Sequence, residues 1–110
     1  MMVKVKAVLQ GDLFTKIEIS GHANSGKYGH DLVCAGVSCI TFGTLNALDK
    51  MTSESVKLNV NNKITIEVTN LLDETCQIIL KTCMIQLDTI KEQYSKYIEI
   101  KQEVSSWNLY

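Results

Sequence analysis

The chain has 110 residues with a formal net charge of −1, and 45% of its residues are hydrophobic. This length is typical of one domain, and the apolar share supports a core that needs no disulfide or metal to fold. The near-neutral charge argues against an electrostatic nucleic-acid binder, and the absence of proline excludes a Pro-rich linker. All eleven basic residues are lysines, so no arginine can clamp a phosphate or carboxylate with two parallel hydrogen bonds. We therefore expect residues 1–110 to form a single domain.

The first half of the chain predicts a hairpin, a loop and a helix. Residues 2–9 and 14–20 alternate apolar and polar side chains around the turn signal at 10–12, which predicts an antiparallel hairpin. Residues 21–31 (GHANSGKYGHD) contain three glycines and both histidines, and they predict a loop. Asp31 then fits a helix N-cap. The helical spacing that follows places Val33, Val37, Ile40, Thr44, Leu48 and Met51 on one buried face.

The second half predicts another hairpin, a helix and a strand. Residues 56–60 and 64–68 read as strands joined by a turn at 61–63. Asp73 and Glu74 favour a helix start, and 98–104 alternates as a last strand before a tail at 105–110 with no assignable structure. The predicted helix carries one apolar stripe, formed by Leu72, Cys76, Ile79, Leu80, Cys83, Leu87, Ile90 and Tyr94. The order β-β-α-β-β-α-β predicts an α+β domain with one mainly antiparallel sheet and two helices packed on it.

Targeting signals are absent from the sequence pattern. The N-terminus lacks a long apolar region followed by a small-residue cleavage site, which argues against a signal peptide. The uncharged stretch between Asp31 and Asp49 contains several hydroxyl and amide side chains, and we expect it to fall short of a membrane span. We therefore expect a buried helix in a cytoplasmic protein.

The four cysteines do not form a metal-binding pattern. They include no CxxC pair, and no histidine lies at zinc-finger spacing, so neither a metal nor another cofactor is predicted. Cys76 and Cys83 lie two turns apart on one helix, about 10 Å between Cα atoms, which is too far for a disulfide. We interpret both, and Cys39, as small buried hydrophobic residues.

The predicted loop and the start of the following helix bring together residues suited to nucleophilic catalysis. If Asp31 caps the helix, Cys34 lies in its first turn, where unpaired N–H groups and the helix dipole favour the thiolate. By analogy with other acyl-transfer sites, the backbone N–H of Cys34 and a neighbouring first-turn N–H would then be the candidate oxyanion donors. His22 stands at the other end of the loop and could deprotonate the thiol, and Ser38 lies one turn beyond Cys34.

Other interpretations of these residues stay open at this point. His30 competes with His22 for the role of base, and Asp31 could serve only as a cap. Cys34 could be a buried thiol beside an exposed loop histidine. A redox-sensing thiol would need a resolving cysteine, and Cys39 lies about 140° around the helix from Cys34, which makes it a poor partner.

A longer pattern covers this region. Gly21-His22-Ala23, Gly29, the run DLVCA at 31–35 and Val37-Ser38 resemble the signature of the ribosomal-processing cysteine protease family Prp, in which GHA is followed by GxDxVCAAVS. The spacing and residue types agree over positions 21–38. The element order also resembles that of the family across essentially the whole chain. Gly36 is a departure, because it stands where the family pattern usually has alanine.

The resemblance implies a specific activity. Members of the family are cytoplasmic, homodimeric endopeptidases that remove a short N-terminal extension from a large-subunit ribosomal protein. It implies Cys34 as the nucleophile, His22 as the catalytic histidine and supporting roles for Asp31, Ser38 and Gly21. The family's loop after the histidine closes over the substrate, and we expect Tyr28 and Gly29 to belong to that loop. The alternative is a non-catalytic ribosome-associated module that uses the same fold to bind a peptide.

Overall fold

The computed structural model describes residues 2–21 and 28–105, with side chains for 2–21 and 32–105. The order β-β-α-β-β-α-β is confirmed, and the strands agree with their predicted bounds to within about a residue. The elements are β1 (Val3–Gln10), β2 (Leu13–Ser20), α1 (Tyr28–Thr52), a 3-10 turn (Ser53–Ser55), β3 (Val56–Val60), β4 (Ile64–Val68), α2 (Glu74–Gln93) and β5 (Ile98–Ser105).

The five strands form one sheet in the order β3-β4-β2-β1-β5. Both predicted hairpins are present, since β1 pairs antiparallel with β2 and β3 pairs antiparallel with β4. β2 and β4 are also antiparallel, whereas β1 and β5 are parallel. β3 and β5 are therefore the two edges of a mainly antiparallel sheet.

The alternation in the strands separates a core face from a charged face. The core face consists of the apolar residues of each strand, among which Val3, Ala7, Ile17, Ile19, Ile64, Ile66 and Ile98 are at most 1% exposed. The opposite face carries ion pairs such as Lys6 with Glu103 (3.0 Å) and Lys63 with Glu18 (3.1 Å). These pairs are exposed to solvent and contribute at most about 1 kcal/mol each, so burial of the other face stabilises the sheet.

The two helices cover the core face of the sheet with the predicted apolar stripes. One predicted residue at the end of each stripe is exposed instead of buried. Cys76, Leu80, Cys83 and Leu87 are fully buried on α2, as expected. Met51 is 62% exposed, because the buried face of α1 continues from Leu48 to Thr52, four residues on. Leu72 is 78% exposed, because it precedes α2 in the turn before the helix cap.

The hydropathy of α1 exceeds the sequence expectation. Leu32–Ser55 is long and apolar enough to cross a membrane by length and composition, with a mean hydropathy of 1.4, so the expectation that this region falls short was wrong. The core helix of a soluble protein can be equally long and apolar, and 39% of the most apolar stretch of this one is buried inside the fold.

Asp73 joins the end of α1 to the start of α2. Its carboxylate accepts hydrogen bonds from the Thr52 hydroxyl (2.7 Å), the Ser55 hydroxyl (2.6 Å) and the backbone N–H of Cys76 (3.1 Å). Asp73 is thus the N-cap of α2, as its type suggested. The hydrogen bonds from Ser55, Thr52 and the backbone hold the pKa of Asp73 below its usual value.

Gln77 fastens α2 to the sheet. Its Oε1 accepts from the backbone N–H of Phe14 (2.8 Å), and its Nε2 donates to the carbonyls of Phe14 (3.0 Å) and Leu71 (3.2 Å). The β1–β2 register shifts between Val8 and Leu9, next to Phe14. Gln77 therefore supplies hydrogen-bond partners to a strand residue beside an irregularity in the ladder.

Candidate active site

Gly21, the first residue of the GHA motif, ends β2 in a conformation that requires glycine. Its φ is +80°, and a Cβ at this position would lie 2.5 Å from the carbonyl oxygen of Met2. A side chain would thus meet both the left-handed strain and the backbone of Met2, the residue that precedes β1. The supporting role predicted for Gly21 has a physical basis: it fixes the direction in which the chain leaves the sheet towards position 22.

α1 begins four residues earlier than predicted. It starts at Tyr28, so Tyr28 and Gly29 lie in its first turn rather than in a loop, and Asp31 is inside the helix rather than its cap. An acidic residue is favoured both at the N-cap and in the first turn, because each position faces the positive end of the helix dipole. Asp31 alone therefore could not locate the helix start.

This earlier start changes the environment of Cys34, which becomes the seventh residue of α1. The N–H groups without an intrahelical acceptor belong to the first four residues, and the dipole effect falls off beyond the first turn. The prediction that Cys34 lies in the first turn was wrong. Its thiol gains little from the dipole, and its own N–H lies beyond the four that lack an intrahelical acceptor.

Cys34 lies in the core, 7% exposed, beside the fully buried Val37. Ser38 is half-buried one turn further along α1, about 40° around the helix from Cys34, so both residues lie on one side of it.

The orientation of Cys34 follows from Gly36. A Cβ on Gly36 would lie 3.1 Å from Cδ1 of Ile90, so this side of α1 faces α2. Two residues rotate a helix by about 200°, which turns Cys34 away from α2. Because α1 contacts β3 whereas α2 contacts β2 and β5, Cys34 lies over the half of the sheet that ends at β3.

Three parts of the fold meet at one end of this half-sheet, which we term the Gly21 end. β2 ends there with Ser20 and Gly21, and β4 starts there because Ile64 pairs with Ile19. The β3–β4 turn at 61–63 therefore lies at the same end. α1 starts after Gly21 and ends at Thr52, close to the start of β3, so its N-terminal part with Cys34 also lies at the Gly21 end.

His22 lies outside the described residues, and the side chains of Tyr28, His30 and Asp31 are not described either. The pairing of His22 with Cys34 and the choice between His22 and His30 as the base stay predictions.

The other cysteines divide into two groups. Cys76 and Cys83 are buried as predicted, and burial raises the pKa of both thiols. Cys39 is exposed, so its prediction as a buried residue was wrong. It lies on the outer side of α1, where a groove of about 360 Å³ runs between the two helices past Ile40 and Ile78. No cysteine among the described residues forms a disulfide, and no cluster there could hold a metal ion.

Comparisons with known proteins decide the family. The sequence profile described as "Cysteine protease Prp" matches residues 2–99. The chain belongs to the Prp family of cysteine proteases. The ribosomal processing cysteine protease Prp of Staphylococcus aureus is 37% identical over 89 residues, which cover 78% of this chain and 84% of the relative. The chain is thus a cysteine protease of the ribosomal-processing type.

Solved structures of Prp from S. aureus agree with this family membership. The complex with a substrate peptide superposes with a TM-score of 0.86 at 32% identity, covering 93% of this chain and 100% of that one. A second complex, with a covalently linked product peptide, gives a TM-score of 0.83 at 33% identity with the same coverage. The fold established above is that of the Prp family.

Proposed function

We propose that this Prp-family protease is an endopeptidase that removes a short N-terminal extension from a large-subunit ribosomal protein, with Cys34 as nucleophile and His22 as general base. The observation that carries the proposal is the family match over residues 2–99, which includes the GHA and DLVCA runs. The S. aureus relative solved with a substrate peptide supports a peptide substrate for this chain as well.

The proposed reaction uses one proton carrier in both half-reactions. His22 takes the proton of the Cys34 thiol, and Sγ attacks the scissile carbonyl carbon to form a tetrahedral intermediate. Collapse breaks the C–N bond, and His22 gives its proton to the departing amine. His22 then deprotonates a water that attacks the thioester, releasing the extension as an acid and regenerating the thiol.

Activation of the thiol rests chiefly on the imidazole. Because Cys34 lies beyond the first turn of α1, the helix dipole lowers its pKa little, and a charged partner must supply most of the effect. The N–H groups without an intrahelical acceptor are those of residues 28–31, which lie between His22 and Cys34 in the chain. We propose these N–H groups as the oxyanion donors in place of the N–H of Cys34.

Substrate access requires a movement at the Gly21 end. A nucleophile that is 7% exposed cannot reach a scissile carbonyl until the groups covering it are displaced. We propose that residues 23–30, which include the first turn of α1, open to admit the peptide and close over it, with Tyr28 packing on its apolar side chains. Residues 23–27 of this segment and the side chain of Tyr28 lie outside the described part of the chain.

The proposal includes a cytoplasmic homodimer that works without a cofactor. Large apolar side chains are exposed on the outer side of the helices, including Phe42 (43%), Ile78 (65%) and Ile85 (57%). Ile78 and Ile85 are seven residues apart and so share one side of α2, and an exposed apolar patch is typical of protein interfaces. Sedimentation of the wild type and of Ile78→Asp tests the dimer: the variant should shift towards the monomer, and Leu72→Asp, outside this surface, should not.

Cleavage of an internally quenched peptide that spans the extension and the start of the mature ribosomal protein tests the catalytic roles. Cys34→Ser and His22→Ala should each lower kcat/KM by on the order of 10³ or more, with the melting temperature retained. Cys39→Ser is the matched control and should retain activity. Loss of activity in His30→Ala but not in His22→Ala would identify His30 as the base.

The same variants separate the protease from a non-catalytic peptide-binding module. A binding module would hold the peptide with wild-type affinity and leave it intact, whether or not Cys34 is present. Turnover by the wild type that Cys34→Ser abolishes excludes this alternative.

The rate of thiol labelling tests whether His22 activates Cys34. Cys39 is exposed and will react with iodoacetamide, so labelling is measured in the Cys39→Ser background. Cys34 should then react before the buried Cys76 and Cys83, and His22→Ala should slow its reaction near neutral pH. Preferential labelling of Cys76 or Cys83 in the folded protein would contradict the assignment of the nucleophile.

A further inference from the structure

β3 forms an edge of the sheet beside the candidate active site. Its inner side pairs with β4 from Val56 opposite Val68 to Val60 opposite Ile64. In the described part of the chain, no strand pairs with its outer side. An edge strand presents a row of N–H and C=O groups with which a second extended chain can pair.

The helix-facing side chains of β3 become less covered towards the Gly21 end. Val56 and Leu58 are half-buried, whereas Val60 is 52% exposed. Ile64, the cross-strand neighbour of Val60, is 1% exposed, so the core still covers the sheet at this level and exposure begins at the edge strand. β3 thus carries an apolar strip that opens towards the end where Cys34 lies.

Cys34 lies on the same side of α1 as this strip. A Cβ on Gly36 would meet Ile90, which fixes the side of α1 that faces α2; Cys34 is turned away from that side, towards the β3 edge. An extended peptide along the outer edge of β3 would reach the Gly21 end beside Cys34.

From this geometry we infer that the substrate peptide binds as an added strand on the outer edge of β3, with Val60 contacting an apolar substrate side chain near the scissile bond. The inference rests on the proposed function, which supplies the occupant. In this mode of recognition, main-chain hydrogen bonds supply affinity, and alternate side chains supply specificity.

The opposite edge of the sheet lacks this combination. β5 carries three charged side chains, Glu99, Lys101 and Glu103, which is the usual protection of an edge against added strands. Its exposed helix-facing residue, Val104 (60%), pairs with Leu9, at the end of the sheet away from Gly21. β3 carries one charged residue, Lys57, and its exposed Val60 lies at the Gly21 end.

A backbone N-methyl scan of the peptide tests the hydrogen bonding. In an added strand, every second amide points at the host strand, so methylation of alternate amides should lower kcat/KM by about fivefold or more. Methylation of the intervening amides should change it by less than about twofold. A uniform effect, or none at any position, would overturn the inference.

Val60→Asp and Val104→Asp form a matched pair for the side-chain contact. Both valines are exposed on edge strands, yet Val60→Asp should raise KM by about fivefold or more with kcat within about twofold, and Val104→Asp should change neither. Val60→Thr, which keeps the β-branched shape, should raise KM to a smaller extent and covers the case in which Val60→Asp unfolds. Equal effects of the two aspartate variants on KM would overturn the inference. An altered sedimentation coefficient of Val60→Asp with an unchanged KM would also overturn it, because the β3 edge would then bind a second copy of the chain.

The dissociation constant of each methylated peptide for the Cys34→Ser variant separates this inference from the proposed function. Alternation in binding without turnover by the wild type would retain the added strand and refute the protease mechanism. If the wild type cleaves the peptide but methylation of alternate amides affects neither binding nor kcat/KM, the protease mechanism is retained and the added strand is refuted.

Discussion

Gly36 and Gly43 occupy two interior positions of α1, and replacing each with alanine tests how closely the two helices pack. Glycine is about 1 kcal/mol less favourable than alanine in a helix interior. A Cβ on Gly43 would meet nothing within 4 Å, so Gly43→Ala should gain this full amount. A Cβ on Gly36 would lie 3.1 Å from Cδ1 of Ile90, closer than the 3.5–4.0 Å of an ordinary carbon contact.

The net effect of Gly36→Ala follows from how easily Ile90 can move. Its Cδ1 must retreat by a few tenths of an ångström, and overpacking of this kind typically costs about 1–3 kcal/mol. Because Cδ1 is the end of a half-buried side chain, we place the cost near the lower limit. Gly36→Ala should therefore change the free energy of unfolding by no more than about 0.5 kcal/mol, against a gain of about 1 kcal/mol for Gly43→Ala.

Urea unfolding followed by circular dichroism measures both effects, and Ile90→Val completes a double-mutant cycle. Valine lacks the Cδ1 atom, so Gly36→Ala should recover a gain of about 1 kcal/mol in the Ile90→Val background, a coupling of about 0.5–1.5 kcal/mol. Equal stabilisation by Gly36→Ala and Gly43→Ala in the wild-type background would refute the contact with Ile90. It would also remove the argument that orients Cys34 away from α2.

Three further predictions concern residues outside the helix interface. Gly21→Ala should greatly lower both stability and activity, measured by thermal melting and peptide cleavage, because it forces a left-handed φ and a clash with the backbone of Met2; a wild-type melt would contradict the described turn. Gln77→Ala should lower the free energy of unfolding by about 1–3 kcal/mol, because it removes the side-chain hydrogen bonds to the N–H and C=O of Phe14. Gln86 is exposed on the same helix, so Gln86→Ala should change that free energy by less than about 0.5 kcal/mol. Because the pKa of Asp73 is lowered in the folded state, its carboxylate stabilises the fold above the unfolded-state pKa of about 4, and this stabilisation is lost as the pH falls through the folded-state pKa. Asp73→Asn should therefore lower the melting temperature at pH 7 much more than at pH 3. An equal loss at both pH values would refute this origin of the stabilisation.

Local sequence signals determined the elements of this fold. The alternation in residues 3–8 and 14–20 fixed which side chains enter the core, because neighbouring residues of a strand point to opposite faces. Asp73 and Glu74 identified the start of α2, because acidic residues are favoured there, and the structure adds that Asp73 is the N-cap, accepting a hydrogen bond from Cys76. The family signature at 21–38 located the candidate site through residue types and their spacing alone.

Tertiary structure decided which neighbours these elements have and how the site faces them. The parallel pairing of β5 with β1, the burial of Cys34 and the exposure of Cys39 depend on contacts between segments far apart in the chain, and no local pattern encodes them. The start of α1 eluded sequence reasoning because Asp31 satisfies the same electrostatic preference at a cap and in a first turn. Gly21 shows both contributions: its type predicted conformational freedom, but only the approach of the Met2 carbonyl, just before β1, explains why no other residue fits.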